Sequence, residues 1–388
     1  MTHVELPEPR LRIECFPNRG WHAYQELFAR AIAPYGIDLC RGGDFSNNAL
    51  ASAGDALAGV NLQWAENLWA HGGWVSRLRA VGGLARYLDL AKRLGKPVIW
   101  TVHNHLPHRG ATVTDRCGLR VVAKGSDVII VHSRWSERYI LDRYQPRGHV
   151  VLMPHGNFVG HYPTMLAPRE TRASLGLDPD APLCGMIGGI RANKRHEAAI
   201  LAVKQLPGVS LLIAGGSNDP HYLSGLRALA GGERRMRVVE GNLSDAQFGD
   251  YLRACDLVLF PYADITSSGA LLAAWSAGRA VITSDLPLFR EFVADVTVCD
   301  ARAGRCLEHV EPGDWARVIH EMLTIPGPER EAMALATAER YAWDRVVIDA
   351  VQAIRGAAGR GPASPRSTED SRLLAGDNRR EAHTHGAR

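Results

Sequence analysis

The sequence lacks long apolar runs, paired cysteines and any strong excess of charge. No apolar run approaches the ~18 residues that cross a bilayer, so we expect no membrane-spanning helix. The seven cysteines are scattered and include no Cys-x-x-Cys pair, which excludes a disulfide scaffold and a zinc ribbon. The charged N-terminus has no apolar stretch typical of a signal peptide. Together these absences predict a cytoplasmic protein.

Charge and composition narrow the class further. The formal net charge of +4 is small for 388 residues, so it gives no reason to expect nucleic acid as a partner. A hydrophobic fraction of 46% with 22% charged residues is typical of a globular chain with a large core. At about 150 residues per domain, the length predicts two domains.

Short apolar runs alternate with amphipathic stretches, a pattern that predicts parallel strands covered by helices on both faces. The predicted strands are Leu11–Phe16, Val60–Gln63, Pro97–Val102, Val128–His132, Val150–Met153, Leu183–Ile187, Val209–Ala214, Met236–Val239, Leu257–Pro261 and Ala280–Thr283. Ten strands are many for one sheet, and a region rich in proline and glycine at 156–169 separates two sets of five.

We therefore interpret the chain as an α/β protein with two doubly wound, Rossmann-like domains that face each other across a cleft. Residues 1–165 would form the first domain and residues 166–338 the second. An amphipathic helix at 340–354, within a segment at 339–355, would cross back to the first domain. Residues 356–388 have little to bury and are predicted to be a disordered tail.

A glycine-rich loop with two cations is the most specific motif. Gly188 and Gly189 follow a predicted strand, and Arg191 and Lys194 come next, before a helix. Glycines let a backbone approach a ligand, and the two cations suit phosphate oxygens. The alternative is a tight turn whose basic side chains are solvated. The loop fits neither of the two common nucleotide-binding glycine patterns.

Two further strand ends strengthen the phosphate interpretation. Gly215 ends the next predicted strand, and a helix begins at Ser268 and Gly269 after another. Helix-start amides favour phosphate, although Ser268 can equally be an ordinary N-cap. All three strand ends would lie at the carboxyl edge of one parallel sheet, where α/β domains bind ligands.

In this order the motifs resemble the C-terminal half of GT-B fold glycosyltransferases, close to the GT4 (group 1) family. The N-terminal half resembles the same family. Its matching segments are Phe16-Pro-Asn-Arg-Gly20, Asn61-Leu-Gln-Trp64, Thr101-Val-His-Asn-His-Leu-Pro-His108 and Pro154-His-Gly-Asn157. The resemblance spans roughly residues 11–345, and among subgroups it is closest to bacterial exopolysaccharide enzymes such as the inverting β-mannosyltransferase of xanthan-type assembly.

This resemblance implies transfer of a sugar from a GDP- or UDP-linked donor to a saccharide or lipid-linked saccharide, in bacterial polysaccharide or glycoconjugate synthesis. The donor would be bound by the second domain, through the residues Gly188, Gly189, Arg191, Lys194, Gly215, Ser268 and Gly269. Gly20, Asn104, His108 and His155 would line the acceptor side or the cleft. No separate cofactor is implied. No metal is expected, because no Asp-x-Asp follows a predicted strand and the two cations would meet the phosphates.

The chain departs from the family at one point. Most GT4 members carry two glutamates around the Ser–Gly helix, and the matching positions here are Ile265 and Ala273. A retaining or an inverting outcome therefore stays open. A degenerate sugar-nucleotide-binding or scaffold protein is an alternative function. A dinucleotide oxidoreductase is disfavoured by the absence of its glycine fingerprint.

His103 is the candidate catalytic residue. It ends a predicted strand on the acceptor side, where an imidazole can act as general base or hydrogen-bond the transferred sugar. Asn104 and His108 would support it. A purely structural role in bracing the loop is the alternative.

A basic amphipathic helix is predicted between residues 74 and 96. Trp74, Leu78, Val81 and Leu88 accompany six cations, which are Arg77, Arg79, Arg86, Lys92, Arg93 and Lys96. Such a helix can rest on an anionic membrane surface, which would place the protein at the inner face of the membrane. The alternative is the solvated outer face of a helix that covers the sheet.

Overall fold

The computed structural model describes residues 10–17, 22–106, 111–295, 297–309 and 311–359. Two parallel sheets of six strands each form its framework. The first sheet contains β1 (Leu11–Phe16), β2 (Ile37–Arg41), β3 (Gly59–Gln63), β4 (Val98–Thr101), β5 (Val128–Val131) and β6 (His149–Leu152). Their order across the sheet is β2-β1-β3-β4-β5-β6, so the strands wind outward in both directions from β1 and β3.

The second sheet repeats this architecture. It contains β7 (Leu183–Ile187), β8 (Ser210–Gly215), β9 (Met236–Glu240), β10 (Leu257–Phe260), β11 (Ala280–Ser284) and β12 (Gly304–Leu307). The order is β12-β11-β10-β7-β8-β9, and every pairing is parallel. The predicted fold class is confirmed, but β2 and β12 were absent from the predicted strands.

Helices connect the strands and cover both faces of each sheet. They are α1 (Ala23–Ile32), α2 (Asn47–Ser52), α3 (Trp74–Arg93), α4 (Val113–Gly125), α5 (Arg134–Tyr144), α6 (Pro168–Ser174), α7 (His196–Lys204), α8 (Pro220–Ala230), α9 (Asp245–Ala254), α10 (Gly269–Ser276), α11 (Pro287–Phe289), α12 (Pro312–Thr324), α13 (Gly327–Glu339), α14 (Trp343–Val346) and α15 (Ile348–Ala358). No described helix is long and apolar enough to cross a membrane.

Strand β5 shows why the predicted strands are continuous apolar runs. Val128 and Ile130 belong to the hydrophobic core on one face of the sheet, whereas Ile129 and Val131 belong to the core on the other. All four side chains are buried, because side chains alternate across a sheet that is covered on both sides.

The C-terminal segment differs from the prediction of one helix at 340–354. Helix α13 ends at Glu339, and the chain continues through the short α14 into α15. Asn157 stabilises the interruption between α13 and α14. Its backbone N–H donates to Tyr341 O (2.8 Å), and its carbonyl accepts from Trp343 Nε1 (2.8 Å). A long-range contact therefore interrupts the helical pattern. Helices α14 and α15 pack on α1, β5 and β6 of the first sheet.

Candidate active site

The two domains meet through loops that leave the carboxyl ends of their strands. Two hydrogen bonds join the loop after β4 to the loop after β10. Ser267 Oγ donates to His103 O (2.9 Å), and the His105 N–H donates to Thr266 Oγ1 (3.2 Å). The carboxyl edges of both sheets therefore face the same cleft, which is where parallel α/β domains bind ligands.

A carboxylate of the second domain caps a helix of the first. Glu291 follows α11, and its two oxygens accept from the backbone N–H groups of Arg134 (2.8 Å) and Trp135 (2.6 Å). These are the first amides of α5, which have no partner inside the helix and carry its partial positive charge. Glu291 thus adds an electrostatic contact between the domains. Sequence reasoning missed it, because nothing local marks a cap that comes from so far along the chain.

The glycine-rich loops after β7 and β8 lie against each other. Gly188 N–H donates to Ala214 O (2.8 Å), and a Cβ at Gly215 would lie 2.2 Å from Gly188 O. Gly188 and Gly215 also have φ values of 119° and 151°, a region that favours glycine. The backbone conformation of both glycines, and the close approach of the two loops at Gly215, therefore disfavour any larger residue at these positions.

Arg191 and Lys194 gather over the glycine pair. The Nε atom of Arg191 lies 3.4 Å from the Cβ position of Gly189, and Lys194 Nζ lies 3.5 Å from that of Gly188. Lys194 Nζ also lies 5.2 Å from the centre of the Tyr262 ring. Desolvation and the neighbouring Arg191 charge lower the pKa of Lys194 to about 8. Two adjacent cations that repel each other in a partly buried loop form a site suited to an anion.

Ser268 and Gly269 begin α10 at the same edge. Ser268 is buried, and its Oγ accepts from Leu271 N (3.2 Å), so the hydroxyl oxygen acts as an N-cap. A Cβ at Gly269 would lie 3.3 Å from His155 Nε2, which brings the predicted cleft histidine to the start of this helix. Because the hydroxyl oxygen accepts this hydrogen bond, the Ser268 hydroxyl can still donate its hydrogen to a ligand.

Ile265 and Ala273, which occupy the positions of the two glutamates of most GT4 members, contact the hydrophobic core. Ala273 is 2% exposed and packs in the core of the second domain, with Ile265 against its edge. The nearest acid in sequence is Asp264, whose Oδ1 accepts from Asn193 Nδ2 (2.6 Å). A backbone hydrogen bond from Ala263 N to Asn193 O (2.8 Å) lies beside it. This pair fastens the loop after β7 to the loop after β10.

His103 is buried in the first domain, with 5% of its surface exposed. Its Nε2 lies 2.5 Å from Gln63 Oε1, and its ring stacks on Trp64 with centroids 3.9 Å apart. An amide oxygen only accepts, so His103 Nε2 carries the proton and Nδ1 is the basic atom. Asn104 was expected to orient this ring, but Gln63 does so instead.

His103 belongs to a cluster of buried histidines around Tyr24. The centroid of the Tyr24 ring lies 4.8 Å from that of His103, 5.3 Å from that of His132 and 4.9 Å from that of His155. Burial lowers the pKa of His132 to about 4 and that of His155 to about 3. The pKa of His103 is also well below its ordinary value, mainly because the ring is buried and secondly because of the neighbouring histidines. All three rings are therefore neutral at neutral pH.

Asn104 contacts a carboxylate that sequence reasoning overlooked. Its Nδ2 donates to Glu66 Oε1 (2.8 Å), and Glu66 lies in a short 3-10 turn directly after β3. The Asn-Leu-Gln-Trp motif at the end of β3 was the available signal for this region. Of the other predicted acceptor-side residues, Gly20 and His108 lie outside the described residues. No group of three His, Cys, Asp or Glu suited to a metal ion occurs among the residues that are described.

Comparisons with known proteins agree with this geometry. Residues 168–340 match the family model of the glycosyl transferases group 1. The chain is 25% identical over 322 residues to the D-inositol 3-phosphate glycosyltransferase of Stackebrandtia nassauensis, covering 75% of this chain and 70% of that protein. It is 26% identical over 234 residues to the protein of the same name from Mycolicibacterium vanbaalenii, covering 56% of this chain and about half (49%) of that relative.

A solved structure matches the fold over nearly the whole chain. The crystal structure of Anabaena HepE in complex with UDP and glucose superimposes with a TM-score of 0.65 at 15% identity, covering 90% of this chain and 98% of HepE. At that identity the likeness supports the arrangement of the two domains. Together with the match of residues 168–340 to the group 1 family model, it leads to one conclusion: the chain is a glycosyltransferase with the GT-B fold, and its second domain is similar to group 1.

Proposed function

We propose that the second domain binds the diphosphate of a sugar nucleotide and that the first domain presents an acceptor hydroxyl to the sugar. The observation that carries this proposal is the pair of cations, Arg191 and Lys194, over the open backbone of Gly188 and Gly189. Cations and amides at that position would stabilise the negative charge that develops on the leaving diphosphate. The complex of the structurally similar HepE with UDP and glucose supports the same class of donor.

We assign to His103 a hydrogen bond to the transferred sugar rather than the removal of a proton. Its neutral ring already donates Nε2–H to Gln63, which leaves Nδ1 as an acceptor for a sugar hydroxyl. Accepting a proton would place a positive charge in a pocket that already lowers the pKa of the ring. A base whose conjugate acid is so unfavourable contributes little near neutral pH.

The donor is proposed to be GDP- or UDP-linked, and the acceptor to be a saccharide or a lipid-linked saccharide of bacterial polysaccharide or glycoconjugate synthesis. The motif resemblance favours a xanthan-type mannosyltransferase, which makes GDP-mannose the first donor to test. The test is a panel of GDP-mannose, UDP-glucose and UDP-glucuronate, assayed for binding and for hydrolysis or transfer in the presence of EDTA. Binding of none of them, or activity that needs added Mg²⁺ or Mn²⁺, would contradict the proposed metal-independent donor site.

Donor binding should depend on pH through Lys194. With a pKa of about 8, its ammonium is mostly charged below pH 8 and mostly neutral above it. A bound diphosphate favours the charged form, so donor affinity should be highest below pH 8. It should then fall by at most about tenfold per pH unit above that value. Titration calorimetry with the donor between pH 6.5 and 9.5 measures the effect. The variant Lys194→Arg keeps its charge and should give a flatter profile, and identical profiles would rule out Lys194 as the group that titrates.

An apolar rim at the mouth of the cleft supports contact with a membrane. Trp74 is 73% exposed and Val113 is 77% exposed, and they begin α3 and α4 at the carboxyl edge of the first sheet. Val75 and Leu78 are also exposed. We propose that this rim, defined by Trp74, Val75, Leu78 and Val113, inserts into the lipid surface that carries the acceptor.

The rim replaces the longer amphipathic surface expected over 74–96. Val81 and Leu88 are buried. Arg77 is not a free surface cation, because it bonds Asp115 Oδ1 (2.8 Å) and Trp69 O (3.2 Å). Lys96 is also used internally, through two carbonyl oxygens at 2.6 Å each. The exposed apolar side chains of α3 are therefore Trp74, Val75 and Leu78, in its first two turns, beside the cations that remain on its outer face.

Removing the rim should weaken membrane binding. The double variant Trp74→Ser/Val113→Ser should lower partitioning onto vesicles of phosphatidylglycerol and phosphatidylethanolamine by about tenfold or more. The reason is that each fully buried apolar side chain contributes about 1.5–3 kcal/mol. Leu201→Ser is the control away from the rim. Leu201 is about as exposed as Leu78, but it lies on α7 of the second domain. Equal partitioning of both variants and the parent would exclude the rim as a membrane contact.

A further inference from the structure

Because His103 is assigned a hydrogen bond to the sugar, another group must take the proton of the acceptor hydroxyl. Glu66 is a carboxylate of the first domain that can do so. This residue follows β3 directly, in a 3-10 turn that is half-buried at the carboxyl edge of the first sheet. The preceding residue but one, Trp64, stacks on His103. Glu66 therefore lies on the wall that the first domain contributes to the cleft.

The contacts of Glu66 connect it to the loop that faces the donor domain. Its Oε1 accepts from Asn104 Nδ2 at 2.8 Å. The residue before Asn104 has its carbonyl bonded by Ser267 of the loop after β10, which precedes the helix start at Ser268. Asn104 thus holds the carboxylate in place, close to where the two domains touch and where the transferred sugar would lie.

We propose that Glu66 is the catalytic base of an inverting transfer, an inference that rests on the proposed function. The acceptor oxygen attacks the anomeric carbon of the donor and forms the new C–O bond. The bond from that carbon to the diphosphate oxygen breaks, and the nucleoside diphosphate leaves with the electron pair. The proton of the acceptor hydroxyl passes to a carboxylate oxygen of Glu66.

Electrostatics favour Glu66 over the histidines for this step. A carboxylate that takes up a proton becomes neutral, and the low dielectric of a closed cleft favours a neutral group. A buried histidine that takes up a proton becomes a cation, which burial and the neighbouring rings of the cluster oppose. The absence of glutamates at Ile265 and Ala273 agrees with a base on the acceptor domain rather than with the family's retaining arrangement.

The decisive variant is Glu66→Gln, which keeps an oxygen for Asn104 Nδ2 but cannot accept the proton. We expect turnover to fall about 100- to 10,000-fold, with donor Kd and thermal midpoint close to those of the parent. Formate added to Glu66→Ala should restore part of the turnover, because a small carboxylate can occupy the vacated space. Product NMR should show an anomeric configuration opposite to that of the donor.

Controls separate a base from a structural support. Asn104→Ala removes the hydrogen bond and leaves the carboxylate, so it should cost less turnover than Glu66→Gln. Asp89→Asn changes an exposed carboxylate on α3, paired with Arg93, and should behave like the parent. Retained configuration, or Glu66→Gln turnover within threefold of the parent, would overturn the proposal. A parent protein that binds no sugar nucleotide would instead overturn the proposed function.

Discussion

Replacing Arg191 or Lys194 by alanine should weaken donor binding about tenfold to hundredfold in each case. Each change removes a charge-assisted hydrogen bond to phosphate, and such a bond contributes about 1.5–3 kcal/mol. Folding should hardly change, since Arg191 is exposed and Lys194 is half-buried, and neither belongs to the hydrophobic core of its domain. Titration calorimetry with the donor identified by the panel measures the dissociation constants.

The neighbouring Arg195 supplies a matched control for this prediction. It is an exposed cation between the same loop and α7, but its side chain is not over the glycine pair. Arg195→Ala should therefore keep the donor affinity of the parent within a few-fold. Equal losses in all three variants would indicate a diffuse electrostatic effect, and unaltered affinity in Arg191→Ala and Lys194→Ala would exclude the loop from the donor site.

Ten of the twelve strands could be predicted because each contains apolar residues that pack into a covered sheet, and in most of them the apolar run is continuous. The two that were missed, β2 and β12, are outermost strands of their sheets. One side of an outermost strand has no partner strand, and its burial is partial. Strand β2 includes the charged residues Asp38 and Arg41, and β12 includes Arg305 in a run of four residues. Such short mixed segments resemble loops when only hydrophobic patterns are considered.

The arrangement of the glycine-rich loop after β7 could be predicted because it is local. Gly188, Gly189, Arg191 and Lys194 lie within seven consecutive residues after the end of β7 at Ile187, so few long-range contacts are needed to bring them together. Gly215 is the informative addition, since its close approach to Gly188 O depends on the pairing of β7 with β8.

The side-chain contacts at the ends of β3 and β4 could not be predicted from the sequence. His103 was identified as a strand-end histidine, but its partner Gln63 lies on the neighbouring strand, 40 positions earlier. The contact of Asn104 with Glu66 likewise joins two strand ends. No local spacing encodes these pairs, because they follow from the order β3-β4 within the sheet. The cation Arg77 was misinterpreted for the same reason: its partner Asp115 lies on a different helix.

Replacing His103 by alanine should lower turnover about tenfold to hundredfold, with part of the loss in donor affinity. The variant loses a hydrogen bond to the sugar worth about 0.5–1.5 kcal/mol and leaves the buried Gln63 oxygen without its partner, at a cost of about 1–3 kcal/mol. His155→Ala is the companion variant, because His155 approaches Gly269 at the start of α10. Turnover, donor Kd and circular dichroism are to be measured for both.

The division of the loss between turnover and affinity decides the role of His103. A hydrogen bond to the donor sugar is made in the bound state and in the transition state, so its removal should affect Kd as well as turnover. A base acts only on the acceptor proton, so its removal should lower turnover about 100- to 10,000-fold and leave donor Kd unchanged. That second result would make His103 the base and would argue against Glu66. Near-normal turnover in His103→Ala with a collapse in His155→Ala would transfer the sugar contact to His155, whose Nε2 already faces the helix that begins at Ser268 and Gly269.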